Sequence, residues 1–216
     1  AIPKTENELD LWIISELQSV VKHFRTELDA YNIEVALRPI APFIDNLNKW
    51  YLRRNRRRFW ANGLNPDKQS GYETLHYVLL TLSKLLAPIC PFFAEKMFRD
   101  LGGSGSVHLE LIPHAREKSI NSDLEKKVSV SREIVALSAG IRARAKIKLR
   151  QPLETLSFLT TEKVELDLEV IKAEANVKNI TILTEAELSK FATKIIRVNA
   201  RMVGKKFGKK VQALIK

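Results

Sequence analysis

Cysteine is nearly missing from this sequence, with Cys90 the single example in 216 residues. One thiol builds neither a disulfide framework nor a zinc site, which excludes both as sources of stability or chemistry. Inside "LLAPICPFF", Cys90 is expected to behave as a small core residue, in keeping with a reducing, cytoplasmic compartment. Long apolar runs are missing as well, and nothing approaches the roughly 18 uninterrupted apolar residues of a membrane span. The opening "AIPKTENELD" lacks the charged-then-apolar pattern of a signal peptide. No membrane partner is expected. Beginning without Met and stopping at "KKVQALIK" within a helical pattern, the chain reads as a piece of a longer protein.

Catalytic signatures are also missing. His23, His76, His108 and His114 are scattered, and none forms an HxxxH or HExxH pair. There is no GxxxxGK[ST] loop and no GxGxxG turn. "GGSGS" at 102–106 has neither a following lysine at phosphate-loop spacing nor a preceding buried strand, so a flexible loop is expected there. Spacing nominates no carboxylate pair. No catalytic residue, metal ligand or cofactor is therefore assigned within this chain.

Positive charge is plentiful. Lys and Arg number 36 against 25 Asp and Glu, a net charge of +11, which puts polyanions first among candidate partners. The excess is +2 over residues 1–116 and +9 over 117–216, yet the densest cluster lies in the nearly neutral part. Hydrophobic content of 45% is enough for a real core.

Hydrophobic periodicity divides the chain. Leu11, Ile14, Leu17, Val21, Phe24 and Leu28 predict an amphipathic helix over 8–31, broken at "YNI". A second helical stretch carries Leu37, Ile40, Phe43, Ile44, Leu47, Trp50 and Tyr51, with a kink or restart at Pro39 and Pro42. It ends at the loop "ANGLNPDK". Residues 72–87 form the most apolar helix, expected at the centre of a bundle, and "FAEKMFRDL" adds a short one. A long connection, 102–121, is expected to wrap the bundle surface. Helix then resumes over 121–146, with Asn121 or Ser122 as its cap.

After "RQP" the rhythm changes. "LETLSFLT" (153–160) and "KNITILT" (178–184) alternate as strands do, with a helix between them. "KIIRVNA" (194–200) reads as a third strand and "GKKVQALIK" as a terminal helix. The expected architecture is mainly α: a helical bundle over 1–150, then a small α/β appendix over 151–216.

Three basic clusters stand out. "WYLRRNRRRFW" places Arg53, Arg54, Arg56, Arg57 and Arg58 between aromatic bookends. On one continuous helix over 43–61, Arg53 and Arg57 would sit a turn apart, as would Arg54 and Arg58, and such rows repel. Guanidinium groups make forked hydrogen bonds to phosphate and stack on bases. Trp50 and Trp60 offer stacking platforms or core anchors, with Trp60, beside a loop, the better placed for exposure. The competing reading is an ordinary helix face whose arginines pair with acids from other helices. The second cluster, "IRARAKIKLR", alternates Arg142, Arg144, Lys146, Lys148 and Arg150. Helix to about Ala145 and extended chain beyond would make it a phosphate-contacting strip, or a solvated edge. The third, "GKKFGKK" (204–210), suits RNA contact or a solubilising tail.

"LNKWYLRRNRRRFW" resembles the arginine-rich helix of the anticodon-binding domain of isoleucyl-tRNA synthetases, where "NNWYIRRSRRRFW" occurs. In the same order, "LLAPICPFFAEKMF" resembles "lAPfaPFlaEeiy", "RARAKIKLRQPL" resembles "AReKakIkvRQPL", and "EANVKNITIL" resembles "ElNVKeVefl". "IRVNARMVGKKFGKKV" resembles "lkPNfkvLGpkfGkkv". The similarity runs from about residue 9 to the end. Lys49 stands where the family often has Asn, and Asn55 replaces a frequent Ser.

The resemblance implies a helical anticodon-binding bundle, followed by a small α/β region truncated at its end. It also implies that ATP and Mg belong to a catalytic core elsewhere in the parent enzyme, whose "HIGH" and "KMSKS" motifs do not occur here. This chain alone would then not be an enzyme. Its partners would be isoleucine tRNA and its own catalytic domain, with a monomer the default. Rival assignments are the equivalent domain of a valyl- or leucyl-tRNA synthetase, or a structural module docking on the catalytic core.

Overall fold

The structure, a computed structural model of the chain, describes residues 2–188. Among them the fold is mainly helical with one small parallel sheet, the helical bundle and small α/β part that were expected. The chain divides into two compact units, Ala1–Ser129 and Val130–Lys216.

In the first unit, α1 (Glu8–Asp29) starts where the Asn7 side-chain oxygen accepts a hydrogen bond from the Leu9 amide at 3.0 Å. Glu8 and Asp10 in its first turn complement the positive end of the helix dipole. Ile14, Leu17, Val21 and Phe24 are buried as their spacing predicts, but so are Trp12, Ile13 and Val20, while Leu11 is exposed. This wide buried face makes α1, rather than the more apolar α5, the central helix of the unit. It ends in a Schellman motif. The Asn32 amide donates to the Glu27 carbonyl at 2.8 Å and the Tyr31 amide to the Leu28 carbonyl at 3.0 Å. Tyr31 takes the left-handed position, at φ +60°.

Short helices α2 (Ile33–Leu37) and α3 (Ile40–Asn46) are separated at Pro39, which has no amide hydrogen to continue α2. Pro42 lies in the first turn of α3, where a missing donor costs little. A π-helical segment, Leu47–Leu52, and the five-residue α4 (Arg56–Trp60) follow. Helix α5 (Pro66–Leu86) begins earlier than the apolar pattern indicated, so "ANGLNPDK" is loop only as far as Asn65. Asn65 caps it, accepting from the Lys68 amide at 2.7 Å, and Pro66 presets the first helical residue.

Helix α6 (Pro91–Asp100) corrects the reading of Cys90, which is exposed. It occupies the non-helical position in front of Pro91, at the corner between α5 and α6, not a place inside either apolar face. "GGSGS" begins as a helix stop. Gly102 takes φ +83°, and a Cβ on Gly103 would lie 2.4 Å from the Phe98 ring. The connection over 102–121 first meets α6 and α5, through Glu95 and Lys84, and over 112–121 runs along α1. The Ile112 carbonyl accepts from Arg25 at 2.9 Å, the Arg116 amide donates to Gln18 at 2.9 Å, and the Asn121 amide donates to Ser15 at 2.7 Å. Asn121 then caps α7 (Ser122–Arg144), accepting from the Leu124 amide at 3.0 Å.

In the second unit, β1 (Leu153–Phe158) and β2 (Val177–Ile182) pair in parallel, Leu153 opposite Val177 and Phe158 opposite Ile182. Parallel neighbours need a crossover, supplied by α8 (Leu168–Ala175). Asp167 caps α8 by accepting from the Val170 amide at 3.1 Å, and Asn176, at φ +51°, stops it. A short α9 (Glu185–Leu188) follows β2. The strand expected at 194–200, the terminal helix and the "GKKFGKK" cluster lie outside the described residues.

Candidate nucleic-acid interface

The arginine-rich stretch is not the single regular helix that its periodicity predicts. The turn of Leu47–Leu52 is widened into π geometry, and the chain turns again at Asn55, at φ −78° and ψ 0°, before α4 begins. A widened turn lets the adjacent Trp50 and Tyr51 both reach the interior, 4% and 0% exposed. The Arg53–Arg57 and Arg54–Arg58 rows therefore dissolve, and the arginines diverge.

Arg58 turns inward. Its Nη1 donates to Asp10 Oδ1 and its Nη2 to Asp10 Oδ2, both at 2.8 Å. It also pairs with Asp67 Oδ1 at 2.9 Å and donates through Nε to the Asp67 carbonyl at 2.9 Å. Asp10, with no exposed side-chain surface, further accepts from Tyr51 Oη at 2.7 Å, Thr5 Oγ1 at 2.9 Å and Ser70 Oγ at 3.3 Å. Both carboxylate oxygens are saturated, which is what makes a buried charge tolerable. Burial alone would lower the Arg58 value, but hydrogen bonding and charge pairing with Asp10 outweigh it and raise it above the usual arginine range. Burial first, and then the Asp10 charge, push the Tyr51 hydroxyl well above the ordinary tyrosine range.

Phe59 completes this anchor. It stacks on Tyr72 at 5.2 Å between centroids and meets Tyr51 edge-on at 6.3 Å. Space for the pair comes from Gly71, where a Cβ would fall 2.8 Å from the Phe59 ring and 2.9 Å from Arg58 Cζ. Lys68 Nζ closes the following loop by donating to the carbonyls of Ala61 at 2.6 Å and Gly63 at 3.1 Å.

With Arg58 and Phe59 holding α4 down, Arg56, Arg57 and Trp60 face outward, joined by exposed Arg53. Trp60 is 76% exposed, as its position beside a loop predicts, and the Arg56 guanidinium lies 5.3 Å from its ring centroid. Arg54 is half-buried over Trp50, at 5.2 Å. Trp50 is a core anchor, its ring out of reach of any external base, and its Nε1 has no hydrogen-bond partner.

The second cluster also splits. Helix α7 ends at Arg144, close to the expected point, but the continuation is a pair of turns, not extended chain. Lys146 takes the left-handed position at φ +57°, while the Ile147 amide donates to the Arg142 carbonyl at 2.9 Å. Arg142 is 3% exposed and donates to four backbone carbonyls: Gln151 at 2.7 Å, Ala175 and Asn176 at 2.9 Å, and Lys148 at 3.4 Å. It clips the turn to the end of α8. Arg144, Lys146, Lys148 and Arg150 are exposed around it. No helix is long and apolar enough to cross a membrane, and no cluster of His, Cys, Asp and Glu suits a metal ion among the described residues.

The sequence profile of the family described as "Anticodon-binding domain of tRNA ligase" matches residues 10–157. The isoleucine--tRNA ligase of Bacillus thuringiensis (strain Al Hakam) is 39% identical over 211 residues, covering 96% of this chain and 20% of that protein. Isoleucine--tRNA ligase 2 of Bacillus anthracis is also 39% identical, with the same coverage. The isoleucine--tRNA ligase of Chlamydia trachomatis serovar A is 38% identical over 94% of this chain and 20% of its own length. The chain thus spans 20% of the length of the curated relatives it matches.

Proposed function

Because the chain belongs to the anticodon-binding domain family of tRNA ligases, we propose that it is the tRNA-reading portion of an isoleucine--tRNA ligase and that it grips the anticodon stem-loop of isoleucine tRNA. Residues 1–150 form the reading bundle and 151–216 its appendix. Arg53, Arg56 and Arg57 hold backbone phosphates, and Trp60 stacks on an unstacked loop base. Arg144, Lys146, Lys148 and Arg150 supply further phosphate contacts. Arg58 and Arg142 position these groups without touching RNA. Loop bases expose faces and edges that paired A-form stems hide, so sequence reading concentrates there.

One observation carries the reading. An indole 76% exposed to water, flanked by a guanidinium at 5.3 Å, sits on an element whose other side is locked down by a saturated buried ion pair. An exposed indole with a guanidinium beside it is the kind of platform on which an unstacked base stacks.

Isoleucine activation, with its ATP and Mg, belongs to the rest of the parent chain, so the 216 residues here bind without catalysing. The parent acts in the cytoplasm, with this part monomeric. Contact with the parent's catalytic domain is supported by the exposure of Phe92 and Phe93 at the start of α6, 91% and 61%. The test is a binding titration across a salt series with isoleucine tRNA and an anticodon-substituted version. Preference for the native anticodon and a steep loss with salt are expected. Equal binding to both would reduce the interface to an electrostatic clamp, and preference for a valine or leucine tRNA would reassign the parent.

A further inference from the structure

Between the π-helical segment and α4 the surface is concave. The hollow has a volume of about 390 Å³, and Asn48, Lys49, Leu52, Arg53, Arg56 and Trp60 are among the residues lining it. Resting on the anticodon-binding reading, we propose that this hollow is a subsite for one unstacked nucleobase and that Asn48 is its specificity-determining residue.

The walls divide the work. Trp60 offers the flat face, and Arg56 beside it supplies a cation for both the ring and a neighbouring phosphate. Leu52 and Phe59 add apolar lining to the hollow. Asn48 is exposed, and among the described residues its carboxamide makes no hydrogen bond within the protein. That leaves one acceptor and a pair of donors in the lining for a base edge.

The local backbone explains why the hollow exists. In a regular helix the side chains of successive turns would close over one another. Here the widened turn of Leu47–Leu52 sends Trp50 and Tyr51 together into the core, and the break at Asn55 offsets α4 from the segment before it. The hollow lies along that offset. Its chemistry favours a nucleobase over an apolar peptide side chain, because cationic and amide groups ring an aromatic face in a site open to solvent.

A carboxamide pairs with a base edge that presents one donor beside one acceptor. A carboxylate only accepts, and so selects the adjacent N1 and N2 donors of guanine. Asn48 therefore predicts a change of preference, beyond a loss of affinity.

The experiment uses the whole chain and RNA stem-loops carrying the isoleucine anticodon loop, each loop nucleotide replaced in turn by an abasic residue or by guanine. For the native protein, one abasic position is expected to cost about tenfold in affinity, the scale of one base–aromatic stack. In Trp60→Ala that position should no longer matter, while the other positions keep their costs. Asn48→Asp should bind the guanine-substituted loop better than the parent loop at the same position, and Asn48→Ala should lose the discrimination. Equal abasic costs in native protein and Trp60→Ala, or an unchanged base preference in Asn48→Asp, would overturn the subsite while leaving anticodon binding intact. Failure of the native protein to bind any stem-loop would overturn both.

Discussion

Arg58 and Asp10 face each other in a two-pronged pair, each guanidinium nitrogen 2.8 Å from its own carboxylate oxygen, across 48 residues of sequence. One is the last of five clustered arginines, and the other lies in the first turn of the central helix. Through that pair, a stretch of chain whose charges repel is held to the bundle.

Breaking the pair should be costly. In Asp10→Ala, Arg58 is left buried without its main partner, and Tyr51, Thr5 and Ser70 lose their acceptor. A loss of about 3–5 kcal/mol is expected in urea unfolding, the scale of a buried ion pair broken from one side. A loss below about 1 kcal/mol would mean that the pair is worth no more than a surface one.

Alkaline pH should act through Tyr51. Its folded-state value is raised, by burial first and by the Asp10 charge and hydrogen bond next, with Arg58 opposing. The stabilisation is complete below the unfolded-state value of about 10 and is lost as pH rises from there toward the folded value. Native protein should therefore lose stability above pH ~10 faster than Tyr51→Phe, by up to about 1.4 kcal/mol per pH unit. Parallel stability profiles for the two proteins would show that Tyr51 titrates alike in folded and unfolded chains.

Tyr31 is 91% exposed and sits at φ +60°, where a Cβ is crowded and the side chain gains no burial in return. Tyr31→Gly should stabilise the protein by about 1 kcal/mol, within the range of the left-handed penalty. Thermal unfolding would read it as a raised midpoint. A lowered midpoint would mean that the added freedom of glycine in the unfolded chain dominates.

Arg57 and Arg142 should separate binding from architecture. Arg57→Ala is expected to weaken tRNA binding and reduce the salt slope by about one, with unfolding unchanged. Arg142→Ala removes four hydrogen bonds to backbone carbonyls and should destabilise its unit by about 3 kcal/mol. At low temperature, where it stays folded, its salt slope should match that of the native protein. An unchanged slope for Arg57→Ala would place that residue outside the interface.

Much of the fold was legible because it rests on local rules. The spacing of Ile14, Leu17, Val21 and Phe24 announced α1, and the alternation around Thr155 and Thr181 announced two strands with a helix between. The start of α5 was also readable, since Asn65, Pro66 and Asp67 form a helix-start sequence, but the loop signal of the same residues prevailed. What stayed hidden depended on distance. Nothing near Arg58 in sequence indicates that it turns inward, because Asp10 is 48 residues away and the receiving space is created by Gly71 on a third element. Arg142 was hidden for the same reason, its acceptors lying up to 34 residues onward. The π turn escaped because adjacent aromatics, Trp50 and Tyr51, fit no regular period. Cys90 was misplaced because apolar neighbours signal burial only within an element, and it stands between two.

Gly71 has a consequence that reaches beyond its own helix. It is the seat into which the underside of α4 drops, so the pose of Trp60 is set from beneath by the absence of one methyl group. A methyl restored at that point would press on Phe59 and Arg58 and shift α4, and on the proposed reading it would weaken RNA binding from a buried position. The affinity proposed for this surface would then be adjustable from its hidden side.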